Sequence, residues 1–274
     1  MGKEHSTGKK NRLPGENQLT AAMLNLKGKQ ALITGGNSGI GFGIANALAT
    51  AGATVVIIGR NGRKNELALK TLKGINNSCY ALRFDLSRIE KIAEFYKDAE
   101  KEYGTFDILV NCAGTTIRKR ADRITLREWE KVIGLNLTST FILTREWAKS
   151  LIKKNAAGTC IIILSLMSEV ARPTTAAYGA SKAALRQLVR SLAVDWAKFN
   201  IRVNGISPGY IRTELTEPLY NDPEFSKWVR QRTPLGRWGK PDDIGPVAVF
   251  LCSDEASFIT GHTIFVDGGF LATI

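Results

Sequence analysis

The sequence predicts an α/β protein built on one doubly wound, seven-stranded parallel sheet with helices on both faces. From Lys29 onward, short β-branched or aliphatic runs alternate with longer stretches of helical period, which is the rhythm of successive βαβ units. Each run is apolar through its centre, as strands covered on both faces must be. No repeat or Pro/Gly/Ser-rich linker divides the chain after Leu26, so a single domain is expected over residues 25–274.

In chain order the expected strands are 30–34, 54–59, 78–84, 106–111, 159–165, 202–207 and 263–266. Between them, helical periodicity predicts helices over 40–51, 63–72, 88–103, 126–154, 178–199 and 242–252, several of which start beside Ser, Thr or Asp caps. Right-handed crossovers then place successive helices on the two faces.

The 274 residues carry a net charge of +13. Lys and Arg are spread along the chain without interleaved aromatics, so a solvated basic surface is expected and not a nucleic-acid site. Residues 1–24 read as a basic, polar tail. It lacks an apolar secretory core, and Glu4 and Glu16 argue against an organellar transit peptide, which leaves the cytoplasm as the expected location. No apolar run reaches a bilayer-spanning length, so no membrane association is expected. The four cysteines form no CxxC pair, and with only His5 and His262 beside them no metal site is expected.

The first expected strand runs into Thr34-Gly35-Gly36-Asn37-Ser38-Gly39-Ile40-Gly41 and then a helix. Backbone amides at a positive helix end would hold a pyrophosphate there, and glycine lets the chain approach it closely. This strand, loop and helix define a Rossmann-type dinucleotide site, with Gly35, Asn37, Ser38, Gly39, Ile40 and Gly41 against the cofactor. The second strand ends in Gly59-Arg60-Asn61 with no acid to take ribose hydroxyls. Gly59 leaves space and Arg60 can pair with a 2′-phosphate, so NADP (NADPH) is expected ahead of NAD. Asp85, closing the third strand, suits the adenine amino group, and Asn111, Ala113 and Gly114, after the fourth, suit the adenosine ribose.

Tyr178 and Lys182 lie four residues apart in a helical segment, so their side chains share a face. An ammonium neighbour and an oxidised nicotinamide would both favour the phenolate and make Tyr178 a usable acid/base. Ser165 ends the apolar run Ile161-Ile162-Ile163-Leu164 at the strand's carboxyl edge, where open α/β sheets place ligands, and its hydroxyl can steady the substrate oxygen. Asn136 sits within an apolar helical stretch. It is expected to support a bound water or Lys182, or else to mark a local helix bend.

Jointly, TGGNSGIG at 34–41, NCAG at 111–114, Asn136, Ser165, YGASK at 178–182 and SPG at 207–209 resemble the short-chain dehydrogenase/reductase family over residues 26–274. The resemblance implies a Ser165-Tyr178-Lys182-Asn136 tetrad, with Lys182 and Tyr178 also against the cofactor. It further implies cofactor contacts from Leu86, Pro208, Gly209, Thr213 and the Ile211 backbone, and a homotetramer. Cys112 departs from the family, which usually has Asn there. Within the family, TTIRKR at 115–120, SLMSEVAR at 165–172, RTPLGRWG at 232–239 and FVDGG at 265–269 are similar to the gluconate 5-dehydrogenases.

That similarity implies a sugar-acid substrate, D-gluconate interconverted with 5-keto-D-gluconate. Arg118, Ser168 and Arg172 would bind it beside Ser165 and Tyr178, and Glu169 falls on the same loops. Residues 213–232, rich in proline, read as a mobile lid. A 3-oxoacyl-carrier-protein reductase, or a non-catalytic binding protein on the same fold, are the alternatives.

Overall fold

The computed structural model describes residues 24–273. The basic tail expected over 1–24 therefore lies, apart from Leu24, outside the described residues. Seven strands form one sheet in the order β3-β2-β1-β4-β5-β6-β7, with β1 Gln30–Thr34, β2 Thr54–Gly59, β3 Tyr80–Arg83, β4 Ile108–Asn111, β5 Gly158–Ile163, β6 Ile201–Pro208 and β7 Thr263–Val266. Every neighbouring pair is parallel. The order reverses between β1 and β4, the switch point at which such sheets bind ligands.

The pleat divides each strand between two cores. On β1, Ala31 and Ile33 face one side and Leu32 the other; on β2, Val55 and Ile57 oppose Val56 and Ile58. The first face is covered by α1 (Gly39–Thr50), α2 (Gly62–Lys73) and α9 (Pro241–Cys252). The second is covered by α3 (Ile92–Tyr103), α5 (Ser139–Lys154) and α6 (Ala176–Trp196). These apolar runs therefore read as continuous, because both alternating sets are buried. Among the described residues no helix is long and apolar enough to cross a membrane.

The structure differs from the sequence expectation in four places. The helix expected over 126–154 is three pieces: α4 (Leu126–Ile133), a π-helical turn Gly134–Thr138, and α5. The hydroxyls of Ser139 and Thr140 donate to the carbonyls of Leu135 and Asn136 at 2.6 and 2.8 Å, competition that distorts a helix ladder. The helix expected from 88 opens with a 3-10 turn, Ile89–Lys91. The helix expected over 178–199 starts earlier, at Ala176, and ends in a 3-10 turn, Ala197–Phe199, before Asn200 enters the left-handed region at φ 59°. Finally, the segment read as a lid folds as two helices, α7 (Glu217–Tyr220) and α8 (Pro223–Arg232). The Asp222 carboxylate caps α8, accepting from the amides of Glu224 and Phe225, and Pro223 occupies its first turn.

Arg202 ties the edge of the sheet together. Its guanidinium donates to the carbonyls of Ile259 and Leu251 and to Thr159 Oγ1 at 2.8–3.1 Å, and burial pushes its pKa down. Arg202→Met should strand these acceptors and lower stability by about 2–3 kcal/mol, read as a shift of the urea midpoint at unchanged slope.

Candidate active site

The carboxyl ends of the strands open into a cleft of about 800 Å³. Its floor is the glycine loop. A Cβ on Gly41 would stand 2.3 Å from the Gly35 carbonyl oxygen, so only glycine allows the loop to fold back on its own helix. The Ser38 hydroxyl makes no capping bond and no acidic residue stands in the first turn of α1. The helix end therefore presents uncapped amides and a positive dipole to the cleft, the donor set that a pyrophosphate requires.

Most of the expected cofactor set lines this cleft: Gly35, Asn37, Ser38, Gly39, Ile40, Gly41, Arg60, Asp85, Leu86, Ala113, Gly114, Pro208, Gly209, Ile211 and Thr213. Asn111 does not. It is 4% exposed and its amide donates to Thr144 Oγ1 and Cys160 Sγ, inside the second core. Gly59 also has another reason to be small. Asn37 donates to Asn65 Oδ1 at 2.6 Å, and a Gly59 Cβ would lie 2.1 Å from the Asn37 amide nitrogen. The space over Gly59 is filled by the protein's own asparagine pair.

Three of the expected tetrad share one wall of the cleft, with Ser165 just past β5 and Tyr178 and Lys182 on α6. The Lys182 ammonium lies 5.7 Å from the centre of the Tyr178 ring and donates to the Ile163 carbonyl at 2.7 Å. Burial pulls the lysine pKa down to about 8. The Tyr178 phenol is pushed up, first by burial and secondarily by the Cys112 thiol; a hydrogen bond with Ser165 and the charge of Arg118 oppose that rise. Burial is the largest of these effects on the phenol.

Asn136 is fully buried but does not reach Lys182. Its Oδ1 accepts from the Thr115 amide at 2.8 Å, and its Nδ2 donates to the Thr115 carbonyl and to Ser181 Oγ at 3.0 and 2.9 Å. Ser181 in turn donates to the Tyr178 carbonyl at 2.7 Å. The asparagine thus locks the loop after β4 to the helix bearing Tyr178, and it sits in the π turn between α4 and α5. Ser181 escaped the sequence reading, since small residues in a helix are common.

On the substrate side, Arg118 and Arg172 line the cleft with Tyr178 and Tyr210. Arg118 has its pKa lowered by burial and by the charge of Arg172. Ser168 does not line the cleft: its hydroxyl donates back to the Ser165 carbonyl at 2.6 Å. Glu169 pairs with Arg186 at 2.6 Å. Cys112, whose amide donates to Thr34 Oγ1 at 3.0 Å, puts its thiol into the wall near Lys182, and burial pushes its pKa up to about 12. Thr34 also accepts from the Ala113 amide at 3.1 Å, so a residue read only as the end of β1 shapes the loop after β4. The segment expected to be a lid packs into an aromatic cluster, in which Tyr210 meets Phe225, Trp238 and Phe270 at centroid distances of 5.2–5.5 Å.

A parallel sheet with a glycine loop at its switch point and a Ser-Tyr-Lys wall defines a nucleotide-dependent oxidoreductase. Residues 35–271 match the family model described as enoyl-(acyl carrier protein) reductase, and the chain belongs to this short-chain dehydrogenase/reductase family. It is 38% identical over 252 residues to the 5-keto-D-gluconate 5-reductase of Escherichia coli K12, covering 92% of this chain and 99% of the relative. It is 40% identical to the 2-dehydro-3-deoxy-D-gluconate 5-dehydrogenase of Bacillus subtilis strain 168, over 90% and 96% of the two chains. Among solved structures, the gluconate 5-dehydrogenase of Burkholderia cenocepacia J2315 in complex with NADP and tartrate superposes with a TM-score of 0.89 at 37% identity, covering 93% of this chain and all of that one.

Proposed function

We propose that the chain is an NADP-dependent gluconate 5-dehydrogenase that interconverts D-gluconate and 5-keto-D-gluconate. The observation that carries this reading is the pair of arginines, Arg118 and Arg172, at the substrate end beside Ser165 and Tyr178. Neither has an ion pair among the described residues, and the burial and the neighbouring Arg172 charge that lower the Arg118 pKa are both offset by a bound anion. A sugar-acid carboxylate supplies one. An acyl chain would leave both cations facing apolar substrate, which disfavours the 3-oxoacyl-carrier-protein alternative.

When bound, NADPH supplies the hydride. Ser165 holds the C5 carbonyl oxygen and Tyr178 gives that oxygen its proton, so the ketone becomes a secondary alcohol. The buried Lys182 ammonium then stands beside the phenolate left on Tyr178. A phenol keeps its proton at neutral pH, so Tyr178 enters the reductive direction carrying the proton that the ketone oxygen takes up. Asn136, bonded to Thr115 and Ser181, keeps the wall in register. Ser168 and Asn111 are assigned structural roles, and the cofactor is held by the remaining lining set.

Arg60 reads the 2′-phosphate in this proposal. Arg60→Ala should weaken NADPH binding about ten-fold or more and NADH binding less than two-fold in fluorescence titrations; equal losses would remove it from that role. A cytoplasmic homotetramer completes the reading, supported by apolar side chains left exposed on β7 and the preceding loop (Phe265, Phe258) and on α4 and α5 (Leu126, Trp129, Phe141). The test is a panel of 5-keto-D-gluconate, 2-dehydro-3-deoxy-D-gluconate, cyclic ketones and acyl thioesters, each assayed with NADPH and NADH. The highest kcat/KM is expected for 5-keto-D-gluconate with NADPH; a higher value for an acyl thioester would replace the proposal with its alternative.

A further inference from the structure

One ion pair spans the mouth of the cleft. Lys64, in the first turn of α2, meets the Glu214 carboxylate on the segment between β6 and α7, and both residues line the cofactor end of the cleft along with Arg60. Each partner is held in place by its own backbone. The Asn61 side chain caps α2 by accepting from the Lys64 amide at 3.1 Å, which orients that first turn. Thr216 Oγ1 accepts from the Thr213 amide at 2.9 Å and donates to the Ile211 carbonyl at 2.6 Å, closing a tight turn around Glu214. That turn rests on the glycine loop, since a Cβ on Gly39 would lie 3.2 Å from the Thr213 methyl.

We infer that the Lys64–Glu214 pair is a charge latch across the cofactor cleft, which makes Lys64 a second cation for a 2′-phosphate and Glu214 the residue that sets the NADP-to-NAD ratio. The inference rests on the NADP reading proposed above. The Lys64 and Glu214 side chains are 42% and 63% exposed, and pairs so open to water hold together by at most about 1 kcal/mol. A phosphate monoester carries roughly −1.5 to −2 charges against one on a carboxylate, so Lys64 gains by exchanging partners. The phosphate must first take Lys64 from Glu214, and the lost pair offsets part of the gain. A cofactor without the 2′-phosphate leaves the pair intact and meets no such competition. Glu214 therefore weakens NADP binding selectively, and it does so through Lys64, because it competes for that ammonium.

A double-mutant cycle on the full-length protein tests this, with the dissociation constants of NADPH and NADH read by cofactor fluorescence. Glu214→Gln should tighten NADPH by about three- to ten-fold and leave NADH within about two-fold. Lys64→Ala should weaken NADPH by about ten-fold, close to what one charge-assisted hydrogen bond is worth. In the double variant the gain from Glu214→Gln should vanish. An unchanged NADPH constant in Glu214→Gln, or the same tightening with and without Lys64, overturns the latch while the wild-type preference for NADPH still stands. A wild-type protein that binds NADH as tightly as NADPH overturns both the latch and the cofactor reading beneath it.

Discussion

Replacing Tyr178 with phenylalanine is expected to lower kcat for ketone reduction by about 10²–10⁴-fold, the usual contribution of a positioned proton donor, while NADPH binding changes less than two-fold. The ring that stands 5.7 Å from the Lys182 ammonium is retained, so the shape of the wall and the cation–π contact survive. Only the hydroxyl is lost, and with it the hydrogen bond to Ser165. The phenol carries its proton at neutral pH and lines the cleft beside Ser165, which places that proton within the site. Ser165 cannot replace it, since an alcohol is a far weaker acid than a phenol. Single-turnover kinetics with saturating NADPH would separate the chemical step from binding, and wild-type turnover in Tyr178→Phe would remove the residue from its role.

Lys182→Met should harm both binding and turnover, by at least about a hundred-fold in kcat/KM, yet leave a folded protein. Methionine fills the buried channel, and although the Ile163 carbonyl loses its donor, the fold no longer has to desolvate an ammonium. The same substitution has a pH signature. Burial holds the lysine pKa at about 8 in the fold, against 10.5 for a freely solvated lysine. Between those two values the unfolded chain carries the proton and the folded protein does not. Stability of the wild type relative to Lys182→Met should therefore rise as pH climbs from about 8 to 10.5. Below about 8 both states are protonated and the difference is flat. Urea unfolding of the two proteins at three pH values measures it, and a difference that fell with rising pH would contradict a desolvated lysine.

The sheet was legible because its strands are buried on both faces, so each reads as an unbroken apolar run, and β1, β2 and β7 fall where those runs do. The Tyr178-Lys182 spacing and Ser165 at the end of an apolar run were legible for a similar reason: helical period and strand polarity project directly into space. What resisted reading was set by contacts distant in sequence or by local polar competition. The π turn around Asn136 arises from hydroxyls bonding back to carbonyls, which periodicity does not register. Asn111 and Ser168 carry suitable groups at suitable positions, but each turns to a partner elsewhere, Thr144 and the Ser165 carbonyl. Gly59 seemed to make room for a ligand, and its neighbours Asn37 and Asn65 occupy that room. The Tyr178 acidity followed burial over charge, a balance that spacing along a helix cannot weigh.

The central claim is that the Tyr178 wall and the paired arginines reduce the C5 ketone of a sugar acid. It is tested most directly by incubating the wild-type protein with 5-keto-D-gluconate and NADPH and identifying the product by NMR. The account predicts one D-gluconate formed for each NADPH oxidised, with the reaction suppressed in Tyr178→Phe and Arg118→Met. No NADPH oxidation, or a product reduced at a carbon other than C5, would contradict it.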